Sequence, residues 1–275
     1  MKRLYITTLI VALTGGLFAQ EAANKKVQAG LVAGFGINFQ KMGTKLIDSD
    51  GIGNDLTIGA NANFSLTETI GLNTGIEFDF ETLKYKVGTT PIYYRYSDTD
   101  ILQASEGASN NELYRMTTRK QKATYITIPT MLLFRTKFIG YVRYFGKFGL
   151  RNSVLVSNKI NDTGVNYDFD VNPVGEELAG TITTERNENM TAKNEMFIFK
   201  SAVGLAGGAE WNFTGSTCLV GEIGYYYGFT PLHTNRNVDQ GKAYLFTTDA
   251  LGTIPEYFSN TSTQGQLMLK VSILF

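Results

Sequence analysis

The 275-residue chain is poor in the residues that most often carry chemistry, with one cysteine, one histidine, one tryptophan and five prolines. A lone Cys218 cannot form an intrachain disulfide, and with a lone histidine it leaves no Cys/His set for zinc. Charge of one sign is also lacking. Twenty-five basic residues cancel twenty-five acidic ones, so no basic field points to nucleic acid. Long hydrophobic runs are scarce too. Leu4–Leu17 is the one extended apolar stretch, shorter than a helix needs to cross a bilayer, and mean hydropathy is near neutral. These absences exclude a helical membrane protein. They do not exclude a sheet in which alternate residues meet lipid, nor a soluble domain, since the chain could bury a sizeable core.

Glycine (29), phenylalanine (18) and tyrosine (15) are plentiful, and they fall in alternating patterns. The clearest is Gln266–Phe275. Leu267, Leu269, Val271, Ile273 and Phe275 alternate with Gln266, Met268, Lys270, Ser272 and Leu274, the period of a strand with one apolar face. A sandwich edge strand could show this period. An aromatic closing such a strand at the end of the sequence instead resembles the insertion signal of bacterial outer-membrane barrels, which makes the barrel-assembly machinery and outer-membrane lipids the expected partners. The other end agrees. Lys2 and Arg3 precede Leu4–Leu17, and Leu17-Phe18-Ala19 offers a small residue before Gln20, so 1–19 reads as a secretory signal peptide. Residues 20–26 then form a short periplasmic segment and 27–275 the barrel domain.

Eight period-two segments follow: Val27–Gln40, Asp55–Thr67, Ile70–Tyr85, Gln121–Arg135, Phe138–Val156, Met196–Phe213, Ser216–Thr230 and Ser262–Phe275. Each covers the roughly 9–11 tilted residues that cross a bilayer. Connections around Glu68, Thr136 and Gly215 are short, whereas Lys41–Asn54, Lys86–Lys120, Ser157–Glu195 and Pro231–Thr261 are long and polar. Short turns at one end and long loops at the other describe an all-β, eight-stranded antiparallel up-and-down barrel with long extracellular loops. Aromatics support it: Phe39, Phe80, Phe199, Tyr227 and Phe229 fall toward the long loops, and Phe64, Phe134, Trp211, Phe213 and Phe275 toward the short turns, as two interfacial girdles.

Such a barrel is narrow and its interior is filled by side chains. The inward set contains Glu77, Asp79, Glu81, Glu210 and Glu222 with Arg143, Lys147, Arg151 and Lys270. Buried charges need partners, so an ion-pair network is expected, with Arg143–Glu210 and Glu222–Lys270 as contacts between neighbouring strands. The same residues could line a small channel or ligand cavity. In the Lys86–Lys120 loop, Tyr93, Tyr94, Arg95 and Tyr96 form an aromatic and basic cluster. It suits an interaction surface or continues strand three as wall.

Tyr125-Ile-Thr-Ile-Pro129, followed by Leu132-Leu133-Phe134, resembles the Tyr-x-Glu-Ile-Pro-x-Leu-Leu strand of the PorT-like outer-membrane barrels of Bacteroidota. Gly204-Leu-Ala-Gly-Gly-Ala-Glu210 resembles a later glycine-rich strand of that family. Thr127 stands where glutamate is frequent and Thr130 where leucine is common. Pro129 removes a ladder donor and implies a bulge or local break. The resemblance implies a non-enzymatic outer-membrane barrel without cofactors, in some members an accessory of type IX secretion and gliding motility, with proteins of such complexes as partners.

Other chemistry finds thin support. His233 could serve a rim enzyme of lipid A-modifying or protease type, with Asp239, Asp249, Ser153 or Ser157 as partners, but no motif surrounds it, and a solvated loop side chain is expected. Asp48, Asp50 and Asp55 do not continue into a calcium-loop pattern, so no metal site is expected. Cys218 reads as a small packed residue.

Overall fold

The computed structural model describes residues 26–106, 112–167, 185–214, 217–233, 241–248 and 255–275. Segment 1–19, expected from sequence to be a signal peptide, residues 20–25, Asp239 and Asp249 lie outside the described residues. Among the described residues all regular structure is β, in fourteen strands: β1 (Val27–Met42), β2 (Ile47–Ser49), β3 (Gly53–Ser65), β4 (Ile70–Val87), β5 (Ile92–Ser97), β6 (Asp100–Ile101), β7 (Glu112–Arg135), β8 (Val142–Tyr167), β9 (Glu185–Ala192), β10 (Phe199–Thr214), β11 (Thr217–Gly228), β12 (Phe246–Thr248), β13 (Pro255–Tyr257) and β14 (Ser262–Leu274). Sequence periodicity marks eight. The additional short strands β2, β5, β6, β9, β12 and β13 come from segments read as loops.

The eight longer strands pair edge to edge in a cycle. In order, β1, β3, β4, β7, β8, β10, β11 and β14 each pair antiparallel with the next, and β14 pairs with β1. From Gly34, cross-strand partners run through Thr57, Asp79 and Tyr125 to Leu155 on β8. The opposite route runs through Lys270, Glu222 and Gly208 to Phe145, ten residues away from Leu155 on the same strand. With a rise of ~3.3 Å and a strand spacing of ~4.8 Å, that shear tilts the strands by about 40° around a backbone radius of roughly 8 Å.

Alternation then sorts the side chains. Outward positions carry exposed apolar residues such as Leu31 and Phe35 on β1, Ile58 on β3, Ile76 and Phe78 on β4, Leu205 on β10 and Leu269 on β14. At this tilt Phe39, Phe80, Phe199, Tyr227 and Phe229 come near one level, and Phe64, Phe134, Trp211, Phe213 and Phe275 near a second; all are exposed. Ile70, the cross-strand partner of Phe134, lies ten residues before Phe80 on β4, which is roughly 25 Å along the barrel axis. That is the height of the apolar band of an outer-membrane-type barrel.

Strands β7 and β8, at 24 and 26 residues, run far past that band. β5 pairs with β7, β9 with β8, β6 with both β5 and β9, and β2 with β4. This cap encloses the largest apolar cluster among the described residues, including Tyr85, Ile92, Tyr94, Tyr114, Ile160 and Leu245.

Two irregularities tune the wall. Thr124 pairs with Ser157 but Tyr125 with Leu155, leaving Val156 as an extra residue in β8. Pro129 produces a local break. The β4–β7 ladder runs from Thr74–Thr130 to Glu77–Thr127 and omits the pairs opposite Pro129 and Ile128, without a change of register. The missing N–H accounts for the gap.

Candidate functional site: the charged lumen and its cap

Because inward positions recur at every second residue, the ring of strands projects its charges into one narrow volume. Six acids (Asp55, Glu77, Asp79, Glu81, Glu210 and Glu222) meet six bases (Arg135, Arg143, Lys147, Arg151, Lys200 and Lys270), all buried. Nearest the short turns, Arg143 and Arg135 both engage Glu210. Above them Lys147 reaches Glu222 at 2.5 Å and Asn73 at 3.2 Å. At mid-height Arg151 joins Glu77 and Asp79, each at 2.9 Å, and Lys270 donates to Glu77 at 2.7 Å. Thr57 and Thr127 donate to the Asp79 carboxylate at 2.6 and 2.5 Å. Higher still, Lys200 pairs with Glu81, and Gln266 donates to Glu81 at 2.8 Å and to Asp55 at 3.2 Å.

Arg143 and Glu210 thus meet as cross-strand partners. Glu222 and Lys270 are also directly opposite, yet each takes a different ion-pair partner, Lys147 and Glu77. In so narrow a lumen a long side chain reaches across the bore as easily as to the next strand, so register does not decide the pairing. Arg135, Lys200 and Asp55 were missing from the sequence-derived set. All three share the inward parity of their strands, which was the available signal. Asp55 lies inside β3 facing the lumen, away from Asp48 and Asp50, so the three do not form one site.

The cap closes the upper lumen with a second polar cluster. Arg119 of β7 donates to Asp162 of β8 at 2.8 Å and to Glu195 at 2.9 Å. Gln121 donates to Glu195 at 3.3 Å and accepts from His233 Nε2 at 2.9 Å, while Ser262 Oγ lies 2.8 Å from His233 Nδ1. The orientation of Gln121 fixes the direction: Nε2–H of His233 donates, and its Nδ1 accepts from the serine hydroxyl. His233 is therefore not the solvated loop residue expected. It is 1% exposed, edge-on to Tyr85 at 5.6 Å, and burial together with the nearby Arg119 pushes its pKa down to about 3. Burial pushes the Glu195 carboxyl up. Ser153 instead contacts Thr127 deep in the lumen, and Ser157 is exposed on the outer wall.

Tyr93, Tyr94, Arg95 and Tyr96 form the centre of β5, and the three tyrosines are buried. Tyr94 packs on Tyr114 at 5.2 Å, and Tyr93 stacks on Phe246 at 5.8 Å. The expected interaction cluster is therefore corrected to cap core: Tyr94 and Tyr96 share the face of β5 that packs on Tyr114, and Tyr93, on the other face, is covered by its β12 partner Phe246. Cys218 is buried near Leu133, Phe145, Val220 and Leu274 at the short-turn end.

A family model described as outer membrane protein beta-barrel domain matches residues 18–234. The chain belongs to that family. It is an outer-membrane β-barrel protein. No curated protein matches it. Similar solved structures include the attachment invasion locus protein Ail of Yersinia pestis, at 11% identity over 91% of this chain and 100% of that one, with a TM-score of 0.33. A major outer membrane protein from Thermus thermophilus gives 14%, 91%, 99% and 0.37, and the outer membrane protease OmpT from Escherichia coli 10%, 94%, 99% and 0.30. At that level of similarity none of them assigns an activity.

Proposed function

We propose that the chain is an eight-stranded, non-conducting, non-enzymatic outer-membrane barrel that holds its cap rigidly at the cell surface as a platform for partner proteins. The observation that carries this reading is the double closure of the lumen. Paired charges fill the bore, and an apolar core seals the mouth above it. Export by segment 1–19 and insertion through the Leu267–Phe275 pattern fit the same reading. The Tyr125–Pro129 and Gly204–Glu210 resemblances favour a PorT-like barrel of Bacteroidota, hence an accessory of a type IX secretion or motility complex. A mild-detergent pull-down of the tagged protein from native outer membranes tests this. Stoichiometric secretion or motility components support it, and recovery of the barrel alone counts against it. In planar bilayers the purified protein should give no resolved current steps, and Glu222→Gln should stay closed; regular steps from the native protein would overturn the closed-lumen reading.

The Ser262–His233 hydrogen bond supports a second reading, a small rim hydrolase. Against it, both side chains are buried, and Nε2 is taken by Gln121 rather than by a carboxylate. A change in lipid A acylation between cells carrying the native protein and His233→Gln would favour that enzyme.

A further inference from the structure

Just above the upper aromatic level, one flank of the outer wall changes character. On β4 the outward series Phe78, Phe80 continues as Thr82, Lys84 and Lys86; on β7 Ile126 and Thr124 give way to Lys122 and Lys120. On β8 Val154 and Val156 give way to Ser157 and Lys159. Register gathers these side chains, with Lys84 opposite Lys120 and Lys122 opposite Lys159. Lys86, Lys120, Lys122 and Lys159 are exposed and Lys84 partly so.

None of the five forms a salt bridge among the described residues, where the exposed lysine bridges are Lys137–Glu68 and Lys193–Asp100. Lys159 donates to Thr191 at 3.0 Å. The acids of this flank stand on its β2 and β9 sides: Asp48 opposite Lys86, Asp50 beside Lys84, to whose carbonyl its N–H donates at 3.0 Å, and Glu188 on β9. Like charges directly opposite on paired strands destabilise a sheet, so two facing lysine pairs favour a multivalent anion between them. The height matters as well. Lys84, Lys120 and Lys122 lie two to four residues beyond Phe80 or Thr124, roughly 5–10 Å above the aromatic level along the axis, where a bilayer carries its headgroups. Among the described residues the opposite flank lacks this feature: at this level β10 carries Phe199, β11 carries Tyr227, and Phe229 follows it, all exposed.

We propose that Lys84, Lys120, Lys122 and Lys159 bind the phosphorylated headgroup of an outer-leaflet glycolipid whose acyl chains lie along Phe78, Phe80 and Val154. The lysines supply point charges to phosphate, and the apolar residues below hold the chains, so one ligand meets both halves of the surface. This rests on the reading that the cap faces outward.

The test is native mass spectrometry of the full-length protein in mild detergent, with bisphosphorylated lipid A and its dephosphorylated form as probes. The native protein should retain the bisphosphorylated lipid preferentially. Lys84→Gln/Lys120→Gln/Lys122→Gln/Lys159→Gln should lower that retention by at least about tenfold, and Lys45→Gln/Lys193→Gln should leave it unchanged. Equal retention of both lipids, no effect of the four substitutions, or an equal loss in the control variant would each overturn the proposal. Should the fourfold variant not fold, judged by heat-modifiable gel mobility, the two facing-pair double variants carry the same comparison. Thiol labelling of Thr99→Cys on intact cells reports orientation separately. A labelled cysteine without lipid discrimination sinks the lipid site alone, whereas no labelling sinks the outward-facing cap.

Discussion

Arg151 Nη2 lies within hydrogen-bonding distance of both carboxylate oxygens of Asp79, at 2.9 and 3.1 Å, although β7 separates their two strands. The same nitrogen reaches Glu77 at 2.9 Å. One guanidinium therefore ties β8 to β4 across an intervening strand. A buried arginine serving two acids cannot be removed without leaving carboxylates poorly compensated.

Arg151→Ala should accordingly destabilise the barrel by about 3–5 kcal/mol, the usual cost of stranding a buried charge. Arg151→Met/Asp79→Asn should recover part of that loss, because it removes the arginine together with one of its two acids and leaves Glu77 paired with Lys270. Urea titrations of the protein folded in lipid vesicles, monitored by gel mobility, give both numbers.

Acid should loosen the cap before the barrel. His233 has a folded pKa of about 3, below the 6.5 of a free histidine. Between those values the opened cap binds more protons than the closed one, so stability falls as pH drops through that window. At pH 5 this amounts to about 2 kcal/mol of opening free energy. Glu195 acts with the opposite sign, since its raised pKa favours the folded state at low pH, with that contribution lost as pH rises through the folded value. Protease cleavage of the cap should thus accelerate on going from pH 7.5 to pH 5, and His233→Gln should flatten the dependence. An unchanged pH profile in His233→Gln would remove the histidine from this role.

Tyr94 is fully buried, accepts a hydrogen bond from Asn187 at 3.1 Å and lies under Arg119. Tyr94→Ala should therefore cost about 3–5 kcal/mol of cap stability, as other large aromatic truncations do. Arg95, only partly buried, should cost within about 0.5 kcal/mol when changed to alanine. Hydrogen exchange of β5 and β7 amides separates the two. Equal exchange in both variants would place Tyr94 outside the core.

The lumen was legible because alternation alone assigns a charge such as Glu77 or Arg143 to the inward face. Its pairings were not, since Lys147 and Glu222 meet across the bore. The cap was hidden for a different reason. Tyr93, Tyr94 and Tyr96 are crowded aromatics without a clean period, so neither face announces itself. The surroundings of His233 depend on Gln121 and Ser262, 112 and 29 residues distant in sequence, and no local pattern encodes them. The alternation of β8 also fails at Val154-Leu155-Val156, where the period-two segment Phe138–Val156 ends, and the structure continues the strand to Tyr167.

That failure of alternation has a mechanical meaning. Below Val156 the odd-numbered residues Lys147, Arg151 and Ser153 point inward; above it the even-numbered Ile160 and Asp162 do. One supernumerary residue re-phases the strand, so a single β8 serves two compartments with different needs. Its lower part turns charge to the bore and grease to lipid. Its upper part turns Ile160 and Asp162 to the cap and Lys159 to the outer surface. The bulge is thus the joint at which the barrel wall becomes the wall of the cap without a break in the chain.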